Sequence, residues 1–253
     1  HEMQKSGIPS TERRRPFIYV YERINFSVTL HGINIYPDFI KKGYLPDAIV
    51  NFVAMLGWSP SNNQEIFTLA ELEKEFSIDR INKSPAIFDI KKLNWVNAHY
   101  IKALPLDELK ELCMPHLVSA GITEGKEENW IDSLLLVFKD RISYGEEVLD
   151  LYDEFFSQEF ELDEEGREFL NQEGVNETLI AFRDLLMELE NFTALDIKPL
   201  IKEAGKIANS KGKMLFMPLR IATTASMHGP DLPQVLALLE KDTVIERLNS
   251  IIK

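Results

Sequence analysis

The chain has 253 residues, 41 acidic against 28 basic side chains, a net charge of −13 and a hydrophobic fraction of 45%, with Gly and Pro at 12 each. This composition excludes disordered and collagen-like chains and fits one large globular domain or a few small ones. No apolar run reaches the ~18–20 residues that span a bilayer, residues 1–30 lack the apolar core of a signal peptide, and the single cysteine, Cys113, excludes an internal disulfide and a thiolate zinc cage, so a cytoplasmic setting is expected.

In chain order, residues 17–21 (Phe-Ile-Tyr-Val-Tyr) form the one clear β-rich run. Pro46 then opens a helix whose Ile49, Phe52, Val53 and Leu56 recur at helical spacing, with Gly57 closing it as a C′ glycine. Thr68 and Glu71 make a capping box ahead of a short helix with Leu69, Leu72 and Phe76 on one stripe. Asp107 opens the next helix through Leu109 and Leu112, expected to stop near Pro115. Trp130, Leu134, Leu135 and Phe138 mark another, and Val148, Leu149, Tyr152, Phe155 and Phe156 the one after. Asn176 is placed to cap a helix carrying Leu179, Ile180, Phe182, Leu186 and Leu189. Pro199 should start a helix over 200–208, Pro233 one over 234–239, and Val244, Ile245, Leu248 and Ile251 line the last. Residues 214–221 are a weaker strand candidate, interrupted by Pro218. The expected fold class is mainly α, built from two helical units that meet near residues 103–107.

Charge is uneven along the chain. Residues 107–190 carry 24 acidic and 6 basic groups, whereas residues 191–253 carry 6 acidic and 9 basic. A polyanion could be gripped by the flanks while the acidic block faces water. Motif chemistry is sparse. His1, His31, His99, His116 and His228 form no metal-ligand spacing, and no glycine-rich phosphate loop is present. The pairs Glu127-Glu128, Glu146-Glu147 and Glu164-Glu165 are adjacent and point to different helix faces, which suits surface charge. Cys113 sits in an apolar helix and is expected to be buried. No catalytic, ATP-binding or metal-binding residue is assigned.

Three segments stand out: residues 43–59 (Gly-Tyr-Leu-Pro-Asp-Ala-Ile-Val-Asn-Phe-Val-Ala-Met-Leu-Gly-Trp-Ser), residues 88–101 (Phe-Asp-Ile-Lys-Lys-Leu-Asn-Trp-Val-Asn-Ala-His-Tyr-Ile), and Met217-Pro218-Leu219-Arg220-Ile221-Ala222, followed by His228-Gly229-Pro230-Asp231-Leu232-Pro233. In this order and spacing, from about His31 to the C-terminus, the chain resembles the C-terminal half of bacterial-type glutamyl-tRNA synthetases. The resemblance implies a helical domain over 31–106 that contacts the tRNA stem. It implies an all-helical anticodon-binding domain over 107–253, in two halves split near 172–192. Residues 1–30 stay unassigned, as the degenerate end of a catalytic region whose α/β domain is otherwise absent.

The family's KLSKR-type ATP loop directly precedes a His-Gly pair like His31-Gly32. Here Phe26, Ser27, Val28, Thr29 and Leu30 fill those positions with no cation, so the chain alone is expected to be inactive, although the full-length family uses ATP and Mg. The implied partner is the tRNA for glutamate, or that for glutamine as well, with no membrane, no DNA, and a separate catalytic domain as a further partner. A truncated or frame-disrupted synthetase is favoured over a stand-alone tRNA-binding adaptor, because the match stops abruptly; a purely structural helical module has only the acidic block in its support.

The resemblance also implies tRNA-binding residues. Arg220 matches an anticodon-contacting arginine, Pro230 and Leu232 match a base-packing segment, and Arg141 lies where some relatives place an arginine against the third anticodon base. Lys91 and Lys92 suit phosphates. Trp58, Trp95 and Tyr100 are read as core. Ala225 and Glu240 stand where relatives commonly carry glycine.

Overall fold

The computed structural model of the protein describes residues 29–30, 33–81, 87–157 and 160–253. The expected strand at 17–21 lies outside them, as do residues 26–28 and 31–32 of the loop comparison. Residues up to 42 form one unit, in which strands β1 (Thr29–Leu30) and β2 (Ile33–Asn34) pair antiparallel, Thr29 opposite Asn34 and Leu30 opposite Ile33, ahead of helix α1 (Ile35–Lys41).

The second unit, Gly43–Lys253, is built of helices joined by loops among its described residues, with an isolated antiparallel bridge between Trp58 and Ile81. It starts with α2 (Pro46–Gly57) and α3 (Leu69–Glu75). Thr68 Oγ1 accepts from Glu71 N at 3.2 Å while Glu71 Oε2 accepts from Thr68 N at 2.7 Å, the capping box read from the sequence. Helix α4 (Ile90–Ala103) follows, capped by Asp89, and a two-residue link leads to α5 (Leu106–Ser119). Then come α6 (Glu128–Phe138), α7 (Glu147–Phe156), α8 (Glu164–Leu170) and α9 (Val175–Glu188). The chain closes with α10 (Ala194–Ile207), α11 (Lys213–Thr224), α12 (Leu232–Leu239) and α13 (Lys241–Ile251).

One apolar cluster runs from Leu45 and Val96 through Leu117, Phe138 and Phe182 to Leu248, and a smaller one gathers Trp58, Phe67 and Leu72. The chain crosses residue 106 without a gap: Gly43 and Gly145 meet backbone to backbone, Gly145 N donating to Gly43 O at 3.1 Å, and Tyr44 stacks on Tyr144 at 4.9 Å. A β-carbon on Gly43 would lie 2.6 Å from Gly145 Cα, so the approach requires its absence. Residues 175–188, within the expected divide at 172–192, form α9, which buries Val175, Leu179, Phe182 and Leu186 against α10, α11 and α13.

Several sequence expectations are corrected. Residues 214–221 are helix, not strand, and Pro115, Pro199 and Pro218 all sit inside helices instead of bounding them. An interior proline costs ~3 kcal/mol, but each buried Leu or Ile contributes ~1.5–3, and every one of these helices buries at least two. Gly57 is the last helical residue of α2 rather than a left-handed terminator, since Trp58 turns extended and donates its N–H to Ala54 O. Gly174, at φ 81°, takes the N-cap position of α9. Asn176 instead pairs with Lys253, accepting from its N–H at 3.0 Å. Trp58 is core at 1% exposure, and Tyr100 donates its hydroxyl to Asn51 Oδ1 at 3.0 Å. Trp95 is not core: it is 39% exposed, because positions 92, 95 and 99 form the outer face of α4, opposite Leu93, Val96 and Ile101.

Candidate nucleic-acid interface

Helix α11 forms because Leu215, Leu219 and Ala222 repeat at helical spacing and bury fully against α9 and α13. The same register leaves Lys213, Phe216 and Arg220 together on the outer side, three and four residues apart. Phe216 is 44% exposed, one turn before Arg220. Thr223 and Thr224 return their hydroxyls to the carbonyls of Leu219 and Arg220, and Ala225, at φ 54°, ends the helix in a left-handed turn. Arg247 braces this end from beneath: its Nη1 donates to Thr223 O at 2.7 Å and Phe155 O at 3.1 Å, and its Nη2 to Ser157 O at 2.9 Å.

Arg220, on α11, is half-buried, its side chain reaching the turn that leads to α12. Its Nη2 donates to Pro230 O at 2.7 Å, while Nη1 is buried with no hydrogen-bond partner. A β-carbon on Gly229 would stand 2.5 Å from that Nη1 and about 3.0 Å from the Phe155 ring, so the guanidinium occupies space that only glycine leaves. Burial lowers the Arg220 pKa, the charge of Arg141 lowers it further, and Asp231 partly offsets both. The charge of Arg141 thus lies within electrostatic reach of Arg220. A half-buried guanidinium held by one backbone carbonyl, with Nη1 unpaired, has the chemistry to bond a base edge or stack on a base face.

The other expected residues are placed differently. Leu232 is 2% exposed and belongs to the main cluster, and Pro230 is buried, its carbonyl holding Arg220. Both apolar surfaces are occupied by the fold, so as they stand they shape the turn and offer no wall to a base. Lys91 and Lys92 lie on α4, which packs on α2 and not on α11. Lys91 is exposed; Lys92 pairs with Glu65 at 2.6 Å and sits 3.9 Å over the Trp95 ring, which itself packs on His99. Cys113 is fully buried and burial pushes its thiol up to about 12, which leaves it inert. Beside the Arg220 turn, a cleft of about 530 Å³ is walled by Asp153, Glu154, Glu161, Asp163 and Glu165 and floored by residues 224–228. That wall repels a polyanion. The exposure of Phe216 was not legible in the sequence, because an apolar residue in an apolar run reads as core.

Residues 108–252, more than half of the chain, match the family model of the anticodon binding domain. The chain belongs to that family. A second family model, the catalytic domain of class I tRNA synthetases (E and Q), matches residues 13–95, beginning before the His31 at which the motif resemblance starts. The chain is 44% identical over 87% of its length to glutamate–tRNA ligase of Bacillus licheniformis, of which this covers 46%. It is 46% identical over 85% of its length to that of Geobacillus thermodenitrificans, covering 45% of it. A glutamate tRNA ligase structure from Elizabethkingia meningosepticum superimposes with a TM-score of 0.71 at 26% identity, over 85% of this chain and 42% of that one. The chain therefore spans under half the length of the ligases it matches, and Arg220 lies inside the matched domain.

Proposed function

We propose that the chain is the tRNA-recognition portion of a glutamate–tRNA ligase, that Arg220 reads an anticodon base, and that Arg141 and the face of Phe216 engage the nucleotides beside it. The observation that carries the reading is the Arg220 cradle: a half-buried guanidinium beside Gly229, held by Pro230 O, with Nη1 left without a partner in the protein. Stacking on Phe216 would suit unpaired loop bases, which are recognised by flat side chains and guanidinium planes. Lys91 and Lys92 would serve the phosphates of the stem, and Lys92 would exchange Glu65 for a phosphate on binding. Residues 26–30 offer ATP phosphates no cationic donor, so the donor set there does not fit the nucleotide, and the chain by itself forms no glutamyl adenylate.

The experiment is tRNA binding by wild type and Arg220→Ala against transcripts carrying the glutamate anticodon and its single-base variants. Arg220→Ala is expected to weaken cognate binding by roughly 1–3 kcal/mol and to flatten the discrimination at one anticodon position. Equal loss on every transcript would make Arg220 a brace of the turn. Glutamate-dependent ATP–pyrophosphate exchange by the purified chain would refute the inactive half of the reading.

A further inference from the structure

We infer that α10 and the turn after it form a lysine ridge that carries the sugar-phosphate backbone of bound RNA, separate from the base-reading cradle; the inference rests on the tRNA-binding reading above. Lys198, Lys202 and Lys206 repeat every four residues and are exposed, while Ile197, Ile201, Ala204 and Gly205 are buried. A four-residue step rises ~6 Å along a helix, so the three ammonium groups form a row. Lys211 and Lys213, both exposed, add two cations on either side of Gly212, Lys213 Nζ lying 5.4 Å from the centroid of the Phe169 ring. Over residues 198–213 five cations meet a single acid, Glu203, in a chain whose net charge is −13.

Little in the protein neutralises them. Among the described residues only Lys206 of these five has a carboxylate within ion-pair distance, Glu203 at 2.7 Å, and that pair is 74% and 50% exposed, hence weak. Like charges four residues apart on a helix repel, so the row weakens the free helix. A polyanion reverses the sign of that interaction. Compact ammonium groups in a row suit phosphates, which position a nucleic acid without reading it, whereas the fork of Arg220 suits a base edge. The row also leads, in sequence, toward Arg220. Lys213 begins α11, and Arg220 lies seven residues on, two turns along the same face.

The test is a titration of tRNA against the full chain over a range of KCl concentrations, with wild type, the triple variant Lys198→Gln/Lys202→Gln/Lys206→Gln, and a control, Lys74→Gln/Lys102→Gln, at exposed lysines elsewhere. Glutamine keeps the helix and removes the charge. For three lost phosphate contacts the slope of log affinity against log salt should become shallower by about 2, with roughly tenfold or greater loss at low salt. The preference among anticodon variants should be unchanged, and the control should behave as wild type. An unchanged slope in the triple variant overturns the ridge while leaving the tRNA reading intact, and so does an equal change in the control. Failure of the wild-type chain to bind tRNA at any salt overturns the tRNA reading and the ridge with it.

Discussion

A β-carbon at position 229 would fall 2.5 Å from Arg220 Nη1 and 3.0–3.1 Å from the Phe155 ring, so Gly229→Ala is expected to act on Arg220 without touching it in sequence. The guanidinium, the far end of a flexible side chain, is expected to leave the cradle, and the Phe155 ring to give slightly, at a cost of about 1 kcal/mol, the lower end for overpacking. Urea unfolding should register that loss of stability, and tRNA binding should fall about as far as in Arg220→Ala. Full affinity in Gly229→Ala would mean that Arg220 reads from another position. The same scale holds a pH effect at His116, whose pKa burial lowers, with Glu146 opposing. A depressed folded-state value means that the unfolded chain binds the proton more readily. The associated stability is therefore complete above the unfolded value of ~6.5 and is lost as pH falls through that region. Melting temperatures should decline below pH 6.5, before the carboxylates titrate, and His116→Gln should remove that part of the decline. The motif singles out Arg220 but not its cradle: neither Gly229 nor Phe155 advertises in sequence that it borders a guanidinium.

Among the elements, stripes of apolar residues were readable and their ends were not. Thr68 and Glu71 announce their helix because both halves of the cap are local. Pro115, Pro199 and Pro218 misled because the burial that outweighs them comes from distant helices. The lysine row of α10 escaped notice for a related reason: until the helix is extended back to Ala194, positions 198, 202 and 206 do not share a face. Two substitutions for glycine were legible as departures, and the structure gives them a meaning. Ala225 sits at φ 54° and Glu240 at φ 70°, ψ 152°, backbone conformations that a side chain disfavours. A left-handed residue with a β-carbon costs ~1–2 kcal/mol, and the region of Glu240 ~1–3. Glycine relieves this but widens the unfolded ensemble, and Glu240→Gly also gives up an exposed pair with Lys126 at 3.0 Å. Each glycine variant should raise the urea-unfolding free energy by about 1 kcal/mol. A loss of stability in both would show that the strain is relieved elsewhere in the turn.

At the scale of the whole molecule, the helical class and the acidic middle block follow from sequence, whereas the continuity of the core does not. Leu45, Val96, Cys113, Phe182 and Leu248 belong to one cluster, although the sequence divides them among three expected units. Contacts such as Gly43 on Gly145 join segments a hundred residues apart, which no local pattern encodes. Residues 43–253 should consequently open as one body, and Cys113 is placed to report it. The thiol is 0% exposed on α5, between Leu109 and Leu117, and burial pushes its pKa up to about 12. Thiol reagents attack the thiolate, so the folded protein should resist labelling at mildly alkaline pH and release one reactive thiol on unfolding. Where closing outpaces labelling, the rate tracks the population of the open form. Its logarithm should then rise with urea at the slope of the equilibrium transition, since both scale with the surface exposed. A shallower slope would mean that the acidic block opens without the helices flanking it, and that the single core is two cooperative units.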